Sequence, residues 1–391
     1  MKETILKIWQ KWFGEKEVLK QESQASCDLH TPSPSREGKL NKVSRTMLED
    51  LEVCLFSNYV FRFNVLTEQT EFCKKGEKVF HLVDQRALNT FCMEARKQGV
   101  NCWDKDVSRL LLSQQIADFH PFSDYADSLP EWDGVDRVSE LARRVSDEAL
   151  WVSGFHRWML GMVAQWMKLE GQCANAVAPL LVSTEQGRCK STFCSIILPE
   201  ELQRFYIDKF DLTSVSGCEQ KLSQFGLINM DEFDRYSVRS MANLKNLMQL
   251  KKLTFRKSHR SYYSQLPRIA SFIGTSNQKE LLTDTTGSRR FLCVEVKGKI
   301  DCSRPDYAQL YAQLKAELLA GERFWFTSEE EKEIQEHNRF FYRQSPEQEI
   351  FFRCFRLPKE GEEAMLLSPT EIFCRLQKKY PAAFRGSNVV N

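Results

Sequence analysis

The chain has 391 residues, 42% of them hydrophobic and 28% charged, which is enough for two or three domains with real cores. A net charge of +2 excludes a chain that is basic throughout, so any nucleic-acid surface must be local. The 13 cysteines contain no C-x-x-C pair, which speaks against a zinc site and for reduced, mostly buried thiols in a cytoplasmic protein.

Residues 1–43 read as a tail and linker. Ile5, Ile8, Trp9, Trp12 and Phe13 could share one side of a short amphipathic helix. A loosely attached tail is the plain reading, and membrane-surface attachment is its rival. Residues 21–42 are polar and hold Pro32, Pro34 and Gly38, as a linker does. No apolar signal core opens the chain, and no run of about 18 apolar residues predicts a membrane span.

Residues 44–134 form a predicted N-terminal α+β region. Met47, Leu48, Leu51, Leu55 and Phe56 fit a helical face. Tyr59–Val65 alternates as a strand, and Thr70–Phe72 is its expected hairpin partner. Helices are predicted over Leu88–Lys97 and Ser108–Phe119. A loop rich in Pro, Asp and Gly, Pro121–Gly134, marks a boundary.

The pattern then becomes α/β over residues 135–340. Helices are predicted over Val138–Val145 and His156–Leu169. The apolar run Trp158–Met167 is too short to span a bilayer and is flanked by charge, so it reads as a core helix. Four apolar strands follow: Val177–Ser183, Gly226–Met230, Ile269–Thr275 and Phe291–Val296. Strands separated by helical stretches predict a mostly parallel, helix-covered sheet. Such sheets bind ligands at the carboxyl ends of their strands.

Beyond the sheet, helices are expected over Tyr307–Leu319 and Glu329–Asn338. Residues 346–391 read as a short helical, winged-helix-like module that is only partial. Its helix start is Ser368-Pro369-Thr370-Glu371, continued by Ile372–Lys379.

Chemistry gathers at the strand ends. Strand 177–183 runs into Thr184-Glu185-Gln186-Gly187-Arg188-Cys189-Lys190-Ser191-Thr192, a Lys-Ser/Thr phosphate-binding loop. Loop amides would face phosphates, Lys190 would add positive charge, and Ser191, with Thr192 as alternative, would ligand Mg²⁺. The pattern asks for Gly at 184 and 189, where this chain has Thr184 and Cys189. A solvated turn is the plain alternative. Asp231-Glu232 closes the second strand, where phosphoryl transfer needs an acid for Mg²⁺ and another for the attacking water. Asn277 ends the third strand and suits water or the terminal phosphate. Arg289 and Arg290 precede the fourth and suit delivery of an arginine to a neighbouring chain's γ-phosphate, with a surface ion pair as the alternative. Lys251, Lys252, Arg256, Lys257 and Arg260 lie among Phe255, Tyr262 and Tyr263. Basic charge interleaved with aromatics suits single-stranded nucleic acid, and a solvated hairpin competes with that reading.

These motifs, in this order, resemble those of ring-forming AAA-like ATPases and, more closely, the virulence-associated protein E family. The resemblance rests on Leu129-Pro130-Glu131-Trp132-Asp133-Gly134-Val135-Asp136-Arg137 and on Glu185 to Phe193. It rests also on Asp231-Glu232-Phe233-Asp234, Gly274-Thr275-Ser276-Asn277 and Thr286-Gly287-Ser288-Arg289-Arg290-Phe291. The family comprises primase-helicase-like P-loop ATPases, related to superfamily III helicases and carried by phages and mobile elements. The tail resembles the extra C-terminal domain of Bacteroidetes members. The resemblance implies an oligomeric, ring-forming ATPase acting on single-stranded or forked DNA, with ATP and Mg²⁺ as cofactors. Lys190 would hold phosphates, Ser191 and Asp231 the metal, Glu232 the water, and Arg289 or Arg290 would be the finger. Two alternatives stand beside it: a degenerate member that binds nucleotide or DNA without turnover, and a nucleotide-gated regulatory or defence protein. No primase-type catalytic cluster is visible in the N-terminal region.

Overall fold

The computed structural model describes residues 46–169, 173–212, 215–255, 264–282, 287–343, 346–357, 361–362 and 364–384. The predicted tail and linker, 1–43, lie outside them, as do Arg256, Lys257 and Arg260. The chain divides into two compact units, one ending at His120 and the other beginning at Pro121.

The first unit opens with α1 (Met47–Asn58), started by a reciprocal capping box between Thr46 and Glu49. Strands β1 (Tyr59–Asn64) and β2 (Gln69–Lys74) pair antiparallel, with Tyr59 opposite Lys74 and Asn64 opposite Gln69. The short β3 (His81–Leu82) adds to β2. Helices α2 (Gln85–Lys97) and α3 (Asp104–Leu111) cover this sheet. Tyr59, Phe61 and Phe72 each meet Phe91 edge-on, with centroids 4.8 to 5.5 Å apart, which fastens the hairpin to α2. The helix expected over Ser108–Phe119 ends at Leu111 instead. Ser113 turns its hydroxyl back to the Leu110 carbonyl. Asp118–Phe119 then forms β4, parallel to β1. The amide of Phe63 needs a partner there and finds the Ala117 carbonyl at 2.8 Å.

The second unit is a five-stranded parallel sheet in the order β11-β5-β10-β7-β6. These strands are β5 (Ala178–Val182), β6 (Tyr206–Ile207), β7 (Leu227–Met230), β10 (Ser271–Ser276) and β11 (Phe291–Glu295). All neighbouring pairs are parallel. The four longer strands are those the apolar runs predict; the two-residue β6 has no such signature. Their side chains are buried on both faces, as a helix-covered parallel sheet requires.

One face carries Ala178, Leu180, Ile228, Met230, Phe272 and Cys293 against α8 (Val215–Gln224) and α9 (Val238–Gln249). The other carries α6 (Ala149–Trp166) and α10 (Tyr307–Leu319). Trp166 stacks on Tyr311 between these two helices, centroids 5.4 Å apart. The apolar run 158–167 is thus the buried side of a core helix. No helix of the described residues is long and apolar enough to cross a membrane. Gly274 sits where the central strand meets both neighbours. A Cβ there would lie 2.7 Å from a Leu180 methyl and 3.1 Å from the Met230 carbonyl oxygen.

Residues 121–136 pack within this second unit. They comprise α4 (Pro121–Asp127) and the loop leading to α5 (Arg137–Arg143). Arg137 forks onto both oxygens of Asp133 at 2.7 Å, which holds that exposed carboxyl down at about 2. Gln313 of α10 accepts from the Arg137 amide at 2.8 Å and donates to Asp136 at 2.8 Å. The Glu131-to-Arg137 motif is therefore an anchor joining α5 to α10.

Strands β8 (Lys252–Phe255) and β9 (Ser264–Pro267) form an antiparallel hairpin after α9. Helix α11 (Ser328–His337) follows α10, and two further helices, α12 (Pro346–Cys354) and α13 (Pro369–Lys379), complete the described chain. The expected helix start at Ser368 is a capping box with Glu371, with Pro369 in the first turn.

Candidate functional site

The site lies at the carboxyl ends of β5, β10 and β7. Strand β5 ends at Val182, and residues 183–189 turn into α7 (Lys190–Ser195). Gly187 and Cys189 both take positive φ, +77° and +62°. Glycine adopts that conformation freely, and a Cβ built on Gly187 would meet nothing within 4 Å. At 189 a side chain is present, so the left-handed turn carries a steric cost. The Cys189 thiol donates to the Gly187 carbonyl oxygen at 3.7 Å.

Lys190 is only 8% exposed. Its ammonium donates to the Ser183 carbonyl at 3.2 Å and to Asn277 Oδ1 at 2.9 Å. Burial pulls its pKa below the ordinary lysine value, while Asp231 and Asp234 pull the other way. Two hydroxyls converge on one carboxylate oxygen: Ser191 Oγ donates to Asp231 Oδ1 at 2.8 Å, and Thr275 Oγ1 at 2.6 Å. Register explains the meeting. Gly274 is level with Met230, so Thr275 is level with Asp231.

The turn after β7 is tight, and Glu232 takes it with φ +52°. Its amide reaches Thr275 Oγ1 at 3.4 Å, and its carboxylate pairs with Arg235 at 2.5 Å. Asp234 accepts from the Ser276 hydroxyl at 3.0 Å and from the Asn277 amide at 3.4 Å. Asp234 thus fixes the end of β10, which places Asn277 beside Lys190.

Lys190, Ser191, Asp231 and Asn277 are therefore brought together, with Glu232 next to them. Of the other loop positions, Gln186 and Thr192 are exposed, and Arg188 pairs with Glu185. Arg289 and Arg290 are elsewhere. They occupy a turn before β11, and Phe291 is level with Ala178 at the start of β5. That places them at the amino end of the sheet, roughly 16 Å of strand from the loop. Arg289 pairs there with Glu331 of α11 at 3.2 Å. Lys251 and Lys252 are exposed at the start of the β8–β9 hairpin.

Thr275 and Asp234 escaped sequence reasoning as site residues. Thr275 precedes Asn277 by two positions in a strand, which puts both on one side; that spacing was the available signal. Asp234 stood within the Asp231-Glu232-Phe233-Asp234 motif, and that place beside the acid pair was its signal.

The donor set fits a hard divalent cation beside phosphate. Ser191, Thr275 and Asp231 offer only oxygen, and the buried lysine sits on the loop side of them.

A model of the virulence-associated protein E-like domain matches residues 126–343. A model of a domain of unknown function described from B. Theta matches residues 344–391. Among curated proteins nothing matches. Among solved structures, the chain is similar to the apo structure of the NrS-1 C terminal region (305–718), at 14% identity over 78% of this chain and 77% of that one, with a TM-score of 0.44. Two A-form apo structures of the same region are similar at 13% and 12% identity. They cover 76% and 78% of this chain and 68% and 74% of those, each with a TM-score of 0.41.

Proposed function

The chain belongs to the virulence-associated protein E-like family, and from that premise we propose that it is an oligomeric, Mg²⁺-dependent ATPase that handles DNA in the manner of a helicase of mobile-element type. The observation that carries the proposal is the convergence of Ser191 and Thr275 on Asp231, with Lys190 bridging the loop to Asn277. That arrangement draws on three strand ends and has no evident structural need for a buried lysine.

In this reading Lys190 exchanges the Ser183 carbonyl for phosphate oxygens, which relieves its desolvated charge. Ser191 and Asp231 would hold Mg²⁺, which supplies charge neutralisation on the phosphates. Asn277 stays hydrogen-bonded to Lys190 and orients the attacking water. Glu232 accepts a proton from that water once it leaves Arg235, its present partner. Arg289 or Arg290 acts on the site of a neighbouring copy, since neither shares an end of the sheet with its own loop. Lys251 and Lys252, at the base of the basic hairpin, contact the DNA backbone.

One observation favours a second reading, a member that binds nucleotide without turnover. Cys189 occupies the left-handed position that glycine suits, and its side chain adds bulk to the phosphate loop. Binding of Mg²⁺-ATP to purified protein, compared with Lys190→Ala, tests the first reading. Loss of about a hundredfold in affinity is expected on removing the lysine. Absence of binding by the unaltered protein would reject both readings.

A further inference from the structure

We propose that Cys189 and Cys302 form an oxidisable thiol pair, and that their disulfide locks the phosphate loop shut. The segment after β11 runs alongside that loop. Val296 N–H donates to the Val182 carbonyl at 2.8 Å, and Ile300 N–H to the Arg188 carbonyl at 3.2 Å. Cys302 therefore arrives at the loop by main-chain register rather than by chance of a rotamer. Its thiol donates to the Cys189 carbonyl oxygen at 3.6 Å. Both residues are half-buried, within reach of a small oxidant. Cys194, in the helix between them, is wholly enclosed and takes no part.

The step balances with hydrogen peroxide as oxidant. The Cys189 sulfur attacks one peroxide oxygen, the O–O bond breaks, and a sulfenic acid and one water form. The Cys302 sulfur then attacks the Cys189 sulfur, the S–S bond forms, and a second water leaves. The two thiols together lose two electrons and two protons, and peroxide is reduced to two waters. The linkage joins positions 113 apart in the chain. It ties the left-handed turn at 189 to the strand-following segment, so the loop can no longer adjust around phosphate.

The bond itself stands on geometry alone; its effect on nucleotide rests on the ATP reading above. Full-length protein is treated with hydrogen peroxide, digested without reductant, and its linked peptides are identified by mass. The expected product is a 189–302 linkage, reversed by dithiothreitol and absent from Cys302→Ser. Oxidised protein is expected to bind a fluorescent ATP analogue about tenfold more weakly and to regain its affinity with dithiothreitol. No linkage, or linkage of other cysteines in its place, overturns the pair. Linkage with unchanged affinity overturns the lock. If reduced, unaltered protein binds no analogue, the ATP reading fails, and the peptide masses alone decide the pair.

Discussion

Cys189 holds a φ of +62° at the start of α7, where the Cβ of any residue but glycine meets the following carbonyl. The cost is about 1 kcal/mol. Cys189→Gly is expected to raise stability by about that amount, measured by chemical denaturation, and to strengthen Mg²⁺-ATP binding several-fold. If affinity is unchanged, the side chain does not crowd phosphate, and any absence of turnover must have another cause. Lys190 and Asn277 show the complementary case. Lys190 was legible from the Lys-Ser pattern of the loop after an apolar strand, and Asn277 from its place at the end of another. Thr275 was not read as a site residue: it closes an apolar run and passes for a strand former until Asp231 is seen across the sheet.

Elements are fixed by their ends as much as by their faces. Helix α11 begins with Thr327 and Glu330 in a capping box, and Arg323 forks onto both oxygens of Glu330. That pairing lowers the Glu330 carboxyl from 4.5 to about 2. Because the folded value is the lower one, the stabilisation is complete above about pH 4.5 and is lost as pH falls toward 2. The melting-temperature difference between the protein and Glu330→Gln should therefore be widest at neutral pH and shrink over that acid range. A difference that stays constant would assign the effect to the cap alone.

The β8–β9 hairpin is anchored in the same manner. Arg268, 3% exposed, donates to the carbonyls of Asn175, Met248, Leu247 and Ala270, so it closes α9 and the base of the hairpin together. Burial brings its pKa down to about 9. No sequence pattern distinguishes such an arginine from a surface one. The hairpin was the competing reading of this basic, aromatic stretch, and its strands pair as that reading expects. Lys251→Ala with Lys252→Ala should weaken single-stranded DNA binding and lower the salt slope by about 0.7 per lysine. An unchanged slope would remove both lysines from the DNA surface.

At the scale of the molecule, the four longer parallel strands and their order of motifs were legible, because apolar runs of that length between helical stretches admit few topologies. Strand β6 was not, since two residues at a sheet edge carry no period. The predicted helix over 108–119 failed for a tertiary reason: an unpaired strand edge took residues 118–119 instead. Their place before the fourth strand of a parallel sheet put Arg289 and Arg290 at the far end of the sheet from the loop, and the register of β11 with β5 agrees. Under the proposed function, that separation would make catalysis a property of an assembly. Lys190→Ala protein and protein carrying Arg289→Ala with Arg290→Ala should each be inactive alone, and their mixture should regain part of the hydrolysis rate. No recovery on mixing would place the finger elsewhere.

The central claim is that the cluster of Lys190, Ser191, Asp231 and Asn277 turns over ATP in service of DNA. The rate of phosphate release from Mg²⁺-ATP, measured against increasing single-stranded DNA for the unaltered protein and Lys190→Ala, tests it most directly. The account predicts Mg²⁺-dependent release that rises with DNA and disappears with the lysine. Release that is absent at every DNA concentration, or that survives Lys190→Ala, would contradict it.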